Sequence, residues 1–254
     1  MKATATKSPG KKSQTKTRLD HLVVDRGLAE SREKAQALIL AGHVLVNGQK
    51  AEKPGHSVPG DAQIELLARM PYVSRGGYKL AAALDHWAID VEGRVCLDVG
   101  ASTGGFTDCL LQRGAARVWS IDVGHGQLDW RLRNDPRVVV REGMNARNLR
   151  AEDFPVKFAL AVCDASFIST TLLIPAMVPL LAPRGELVIL VKPQFEVERG
   201  QVGKGGIVRD PELHLAARDR VRAAVEAHGF HGRIIASPIL GAEGNREFLL
   251  HASR

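Results

Sequence analysis

Apolar and polar positions sort the C-terminal two thirds of the chain into two kinds of segment. Short apolar runs at 95–99, 117–121, 138–141, 158–163 and 187–191 read as buried strands. Runs at 232–237 and 246–251 read as a final antiparallel pair at one edge. Helical spacing predicts helices near 106–113, 127–134, 170–181 and 211–228. Ser74 is placed to cap a further helix reaching Trp87, with Leu80 and Leu84 on its buried side. Strands alternating with helices predict a doubly wound α/β sheet of seven strands, with helices on both faces.

The first third has a different pattern. Leu19, Leu22 and Val23 form one helical stripe, ended by Gly27. Ser31 opens a second helix with Ala35, Leu38 and Ile39 as its apolar face, closed by Gly42. Val44 to Val46 reads as a strand entering a tight Asn47-Gly48 turn. Turns at Pro54-Gly55 and Pro59-Gly60 precede a last strand at 63–67. Residues 1–17 hold five lysines, Lys11 and Lys12 among them, with no acid and no apolar period, which predicts a disordered basic arm. The expected organisation is an arm (1–17), a small α+β domain (18–67), a linker (68–73) and an α/β domain (74–254).

Composition narrows the function classes. The chain has 254 residues, 44% of them hydrophobic, enough for two cores, and its net charge of +7 suits a polyanionic partner. No run reaches the ~18 apolar residues of a membrane span. The best stretch, 172–182, is interrupted by Pro175 and Pro179. The N-terminus lacks the apolar segment of a secretory signal. Cys96, Cys109 and Cys163 sit in apolar surroundings without a C-x-x-C pair, and the nine histidines form no H-x-x-x-H pattern. No metal is expected, and the compartment is expected to be reducing and cytoplasmic.

The stretch Asp98-Val-Gly100-Ala101-Ser102-Thr103-Gly104-Gly105-Phe106 carries the first chemistry. It runs from a strand through a glycine turn into a helix whose free N–H groups face the same spot. The next strand ends in Asp122, placed to take the two hydroxyls of a ribose. Turn and acid together predict a nucleoside-type cofactor; the turn alone would be an ordinary tight connection. The spacing is not G-x-G-x-x-G, and Phe106 after Gly105 excludes a Walker loop. It resembles motif I of class I S-adenosylmethionine (SAM) methyltransferases, in which the acid before the first glycine holds the methionine end.

Asp164 and Lys192 follow the fourth and fifth strands of the α/β domain, at the carboxyl ends that face the crevice of such a sheet. Charged residues there also simply mark where a strand meets water. With Lys79 and Glu247 they resemble the Lys-Asp-Lys-Glu tetrad of FtsJ-type RNA 2′-O-methyltransferases. A ribose 2′-hydroxyl is a very weak acid, so its methylation needs a base and an in-line approach. A lysine serves as base only when neutral, and burial can lower a lysine pKa by up to roughly 3–5 units. Lys192 is the candidate base, Lys79 the neighbouring positive charge, and Asp164 and Glu247 the acids that orient them.

The 18–67 segment resembles the RNA-binding domain first known from ribosomal protein S-four, the alpha-L motif. The match rests on Arg18-Leu19-Asp20, Gly27, Ser31-Arg32, Ile39, Gly42 and Val46-Asn47-Gly48. The resemblance implies phosphate contacts by Arg18, Arg32, Lys34 and Lys50, which position RNA without choosing a base. Lys11, Lys12, Arg69, Arg75, Lys204 and Arg209 are the further candidate RNA contacts. From about Arg18 onward the chain resembles the TlyA family of rRNA methyltransferases, long labelled hemolysins. The shared runs include Tyr72-Val-Ser-Arg75-Gly-Gly-Tyr-Lys79, Asp164-Ala-Ser-Phe-Ile-Ser169, Val191-Lys192-Pro-Gln-Phe-Glu196 and Gly203-Lys204-Gly-Gly-Ile-Val-Arg209-Asp210. The resemblance implies 2′-O-methylation of cytidine in ribosomal RNA of the small or large subunit, with SAM as donor and no membrane partner. It assigns Asp98, Gly100, Ala101, Ser102, Thr103, Gly104, Gly105, Phe106, Asp122 and Asp164 to the cofactor, with Met144 and Asn145 by the adenine. One departure is the absence of the family's frequent interdomain tryptophan, where this chain has Arg69-Met-Pro-Tyr72.

Three rivals make different demands. A membrane-active protein requires an amphipathic or spanning segment. A pseudouridine synthase requires a second Arg-Leu-Asp in the C-terminal region, which the sequence lacks. A non-catalytic RNA-binding scaffold has no use for the tetrad. The sequence leaves the oligomeric state open.

Overall fold

The computed structural model describes residues 16–40, 42–66, 71–241 and 243–254. Lys11, Lys12 and Arg69, with the rest of 1–15, lie outside the described residues. The chain divides into two compact units, Met1–Arg69 and Met70–Arg254. Among the described residues no helix is long and apolar enough to cross a membrane.

The first unit holds β1 (Lys16–Arg18), α1 (Leu19–Asp25), α2 (Arg32–Leu40), β2 (Val44–Val46), β3 (Gln49–Lys50), β4 (Ser57–Pro59) and β5 (Ile64–Leu66). Leu19, Val23, Ala35, Ile39, Val44, Val58 and Ile64 close its core. The Asn47-Gly48 turn joins β2 to β3 with both residues at positive φ, 49° and 79°, as a two-residue hairpin of this hand requires. The sequence missed β1, which pairs antiparallel with β4. Lys16 and Thr17, expected within a disordered arm, are therefore strand residues.

The second unit holds α3 (Gly76–His86), β6 (Val95–Val99), α4 (Gly105–Gln112), β7 (Arg117–Asp122), α5 (Trp130–Arg133), β8 (Val138–Glu142), β9 (Phe158–Cys163), α6 (Ile174–Met177), β10 (Leu181–Val191), α7 (Pro193–Glu196), α8 (Pro211–Glu226), β11 (His231–Ala236) and β12 (Phe248–Ser253). Seven strands form one sheet in the order β11-β12-β10-β9-β6-β7-β8. Only β12 runs against its neighbours, as the expected antiparallel edge pair requires. One face carries Leu97, Val99, Ile121, Ile174, Met177 and Val221; the other carries Leu80, Leu84, Cys96, Leu110, Leu160 and Val162.

Three expected helices are shorter or differently capped. The 170–181 helix is broken into a 3₁₀ turn, α6 and a second 3₁₀ turn, because Pro175 and Pro179 start new turns and cannot donate to preceding ones. The 127–134 helix contracts to α5, started by Asp129, whose carboxylate accepts from Arg131 N at 2.9 Å. Ser74 does not cap α3: Arg75 occupies that position and no side chain caps it.

The topology creates the site. From β6 the chain winds outward through β7 and β8, then returns to β9 on the opposite side. The strand order thus reverses between β6 and β9, and the ligand crevice of an open α/β sheet lies outside the carboxyl ends at such a point.

Candidate active site

The turns after β6 and β9 meet at this crevice. Asp164 N donates to Val99 O at 3.0 Å, which brings Asp164 beside Gly100. Three connected hollows follow. The first lies over the glycine turn, bounded by Gly100, Ser102, Gly105, Asp164, Ser166 and Lys192. The second, of about 450 Å³, is an apolar slot between Ile121, Met144, Ala165, Ile168 and Leu173 with Asp122 at its rim. The third, of about 390 Å³, contains Lys79, Asp164, Lys192 and Glu247 together. Asp164 and Ser166 border all three, and Lys192 borders the first and third.

The four tetrad candidates form two lysine–carboxylate pairs. Lys79 Nζ is paired with Glu247 Oε2, a contact spanning 168 residues of sequence, with side chains 10% and 4% exposed. Lys192 Nζ lies 2.6 Å from Asp164 Oδ1 and donates to Ser166 Oγ at 2.8 Å. Ser166 thus fixes the Lys192 amine from a second direction, a role the sequence reading did not assign.

The cofactor candidates divide into those that line the crevice and those that support it. Gly100, Ala101, Ser102, Thr103, Gly105 and Phe106 border the first hollow; Asp122, Met144 and Asn145 border the slot. Asp122 accepts from Ser102 N at 2.8 Å and Gly124 N at 2.7 Å, one bond to each oxygen. It therefore ties the turn to the end of β7, and each oxygen keeps a lone pair for a hydroxyl. Asn145 Oδ1 caps the 3₁₀ turn after β8 by accepting from Arg147 N.

Asp98 and Gly104 are placed differently from expectation. Alternation along β6 sends Asp98 to the same face as Cys96, under α4 and away from the crevice. It is fully buried; Thr107 Oγ1 donates to its Oδ2 at 2.6 Å, and its Oδ1 has no partner. Burial pushes the Asp98 carboxyl up to about 7, opposed by the Thr107 hydrogen bond and reinforced by the charge of Asp164. Gly104 starts α4 at φ 95°. A Cβ there would stand 2.3 Å from Leu132 Cδ1 and 2.8 Å from Leu128 Cδ1, inside the core beneath the turn. A larger residue would disrupt that packing rather than protrude into the crevice. At Gly105 a Cβ would lie 2.2 Å from Ser74 Oγ, so α3 and α4 approach closely only because the residue is glycine.

Two further residues shape the crevice without having been foreseen. Phe167 sits at φ 65° and is 91% exposed as a residue; its ring centroid lies 5.4 Å from that of Phe195, and it borders the third hollow. A solvated ring there offers a stacking face to a planar ligand. Glu196 is 2% exposed and accepts from Thr170 N and Thr170 Oγ1, both at 2.8 Å, and from Ser169 Oγ at 2.5 Å. It clamps the turn after β9 to α7, holding Asp164 and Lys192 in one frame. The runs Asp164-Ala-Ser-Phe and Lys192-Pro-Gln-Phe-Glu contained the signal for all three missed residues, Ser166, Phe167 and Glu196.

The basic candidates are mostly at the surface. Arg75, Lys204 and Arg209 are exposed in the second unit, and Arg75 Nη2 donates to Leu240 O. In the first unit Lys50 is exposed in the hairpin and Lys34 pairs with Glu30. Arg18 and Arg32 both bind the buried Asp20, at 2.9 Å and 3.0 Å, and Gln36 Nε2 adds a bond at 2.9 Å. Arg18 foremost holds the Asp20 carboxyl well below the usual range, against its burial. Each guanidinium retains unused N–H donors, so both arginines serve the fold and still present charge.

Comparison with known proteins gives the family. The FtsJ-like methyltransferase model matches residues 72–254, and the S4 domain model matches 17–64. The chain is 48% identical over 238 residues to the 16S/23S rRNA (cytidine-2′-O)-methyltransferase TlyA of Mycobacterium tuberculosis, covering 92% of this chain and 89% of that protein. It is 47% identical over 237 residues to hemolysin A of Brachyspira hyodysenteriae, covering 92% and 98%. A solved structure from Streptococcus thermophilus that carries a hemolysin label is 42% identical, covers 95% of this chain and 90% of its own, and superposes with a TM-score of 0.73.

Proposed function

The chain belongs to the FtsJ-like methyltransferase family and carries an S4 domain, and from that premise we propose that it methylates the ribose 2′-hydroxyl of cytidine in ribosomal RNA. The observation that carries the reading is the shared border of the hollows. Asp164 and Lys192 stand where the hollow over the glycine turn meets a cleft with two buried lysines. A donor methyl on one side and an acceptor hydroxyl on the other would meet at that border. The name of the Mycobacterium tuberculosis relative supports cytidine and both ribosomal subunits as targets.

The residues fit SAM. The apolar slot suits a purine and the spare lone pairs of Asp122 suit ribose hydroxyls, while Gly100 leaves room for the backbone of Asp164 and Ala165, whose atoms would lie 3.0–3.1 Å from a Cβ there. Bound there, SAM supplies an activated methyl group on a sulfonium. The protein's task is the acceptor. Lys192, once neutral, would take the 2′-hydroxyl proton and so free the oxygen lone pair to accept the methyl group as that group leaves the sulfonium sulfur. Asp164 and Ser166 aim the Lys192 amine. Lys79, held by Glu247, remains the fixed cation that offsets charge developing on the oxygen.

The first unit and the exposed Arg75, Lys204 and Arg209 grip RNA phosphates in this reading, with Lys11, Lys12 and Arg69 as further contacts in a cytoplasmic setting. The test is to map 2′-O-methyl groups in rRNA from cells with and without the protein. Loss of a 2′-O-methylcytidine on deletion supports the reading; an unchanged map refutes it.

A further inference from the structure

The cleft that holds the tetrad contains polar atoms that methyl transfer does not use. Gln194 follows Lys192-Pro193 on α7 and lines this cleft; its Oε1 is buried and has no hydrogen-bond partner. Buried polar atoms are ordinarily paired, so an orphaned acceptor facing a cleft marks where a ligand's donor fits. Glu243, a solvent-exposed side chain, also lines the cleft, and its carboxylate makes no hydrogen bond or ion pair among the described residues. Its Oε2 lies beside Gly206, 2.9 Å from where a Cβ on that residue would stand. The cleft thus offers two acceptors beside the exposed face of Phe167.

We infer that Gln194 and Glu243 read the base of the target nucleotide, selecting cytosine over uracil through its exocyclic amine. This rests on the ribose methylation reading above. Cytosine presents N4–H₂ as a donor where uracil presents O4 as an acceptor, and a carboxylate accepting from N4 is an established pairing. The two residues divide the task. Gln194 can turn its amide over and satisfy either base, so it contributes to holding the nucleotide. Glu243 is acceptor-only when ionised; facing O4 it would set two acceptors against each other without a proton between them. Discrimination therefore lies with Glu243, and the general hold with Gln194.

The test uses the full-length protein, radiolabelled SAM and rRNA carrying the mapped target cytidine, alongside the same RNA with uridine there. The expected preference of the wild type for cytidine is at least about 10-fold in single-turnover rate. Glu243→Gln, whose amide donates as well as accepts, should bring the two rates within about 3-fold, mainly by raising the uridine rate. Gln194→Leu should slow cytidine transfer about 10-fold with SAM affinity unchanged, and Gln194→Glu, which keeps an acceptor, should recover most of that loss. A Glu243→Gln protein that keeps the full preference overturns the inference, as does Gln194→Leu at the wild-type rate. A wild type that methylates both RNAs equally also overturns it, while leaving the methylation reading intact. A wild type that methylates no ribose in either RNA overturns both.

Discussion

Asp98→Asn should stabilise the second unit, and by an amount that depends on pH. Asp98 is enclosed beneath the glycine turn, with Thr107 donating to one oxygen and the other unpaired. Its pKa is pushed from the ordinary aspartate value near 3.9 up to about 7. That rise is worth about 4 kcal/mol at ~1.36 kcal/mol per pH unit. The sign follows from linkage: between these two values the native state holds a proton that the unfolded state has released. Stability is therefore greatest below about pH 4, falls as pH rises toward 7, and is level above. Asparagine copies the neutral acid and accepts from Thr107 in the same way. The variant should gain on the wild type by about 2–3 kcal/mol between about pH 5 and pH 8. Urea unfolding at several pH values measures this, followed by tryptophan fluorescence. Trp87, Trp119 and Trp130 are the chain's three tryptophans and all lie in the second unit, so the signal belongs to that unit alone. A wild-type-to-variant difference constant within about 0.5 kcal/mol over that window would refute the reasoning, because it would mean that Asp98 ionises alike in both states.

Two other perturbations separate support from chemistry. Gly104→Val combines left-handed backbone strain with a clash against Leu132 and Leu128; it should cost about 3 kcal/mol in thermal or urea unfolding, and a variant of normal stability would place the clash elsewhere. Glu247→Gln strands the buried Lys79 ammonium and should destabilise by about 3 kcal/mol, whereas Lys79→Met with Glu247→Leu should lose less than Glu247→Gln alone. Additive losses in the double variant would mean the two side chains are not coupled.

Much of the fold was legible because burial leaves a local imprint. The runs at 95–99 and 158–163 are strands at those bounds, since an apolar stretch of that length between turns has few other uses. The glycine turn and the acid of Asp122 were likewise local. Errors arose where a second local rule competed. The prolines at 175 and 179 should have weighed against one continuous helix. The alternation of β6 places Asp98 with Cys96, and that period argued for burial before any ligand role. What spacing could not supply was pairing across the chain. Lys79 meets Glu247 over 168 residues, and β1 finds β4 across the first unit. Family resemblance supplied the tetrad as a set, whereas the division into two ion pairs, the seat of Ser166 on Lys192 and the clamp by Glu196 required coordinates.

The central claim is that Lys192 takes the proton from a ribose hydroxyl at the border between the hollow over the glycine turn and the acceptor cleft. Its most direct test is single-turnover methyl transfer from radiolabelled SAM to rRNA or ribosomal subunits by wild type and Lys192→Ala, with SAM affinity measured by calorimetry on both. Transfer should fall by about 10²–10⁴-fold in the variant, the range of a lost general base, while the SAM dissociation constant stays within about threefold. Transfer by Lys192→Ala at near the wild-type rate would contradict the account.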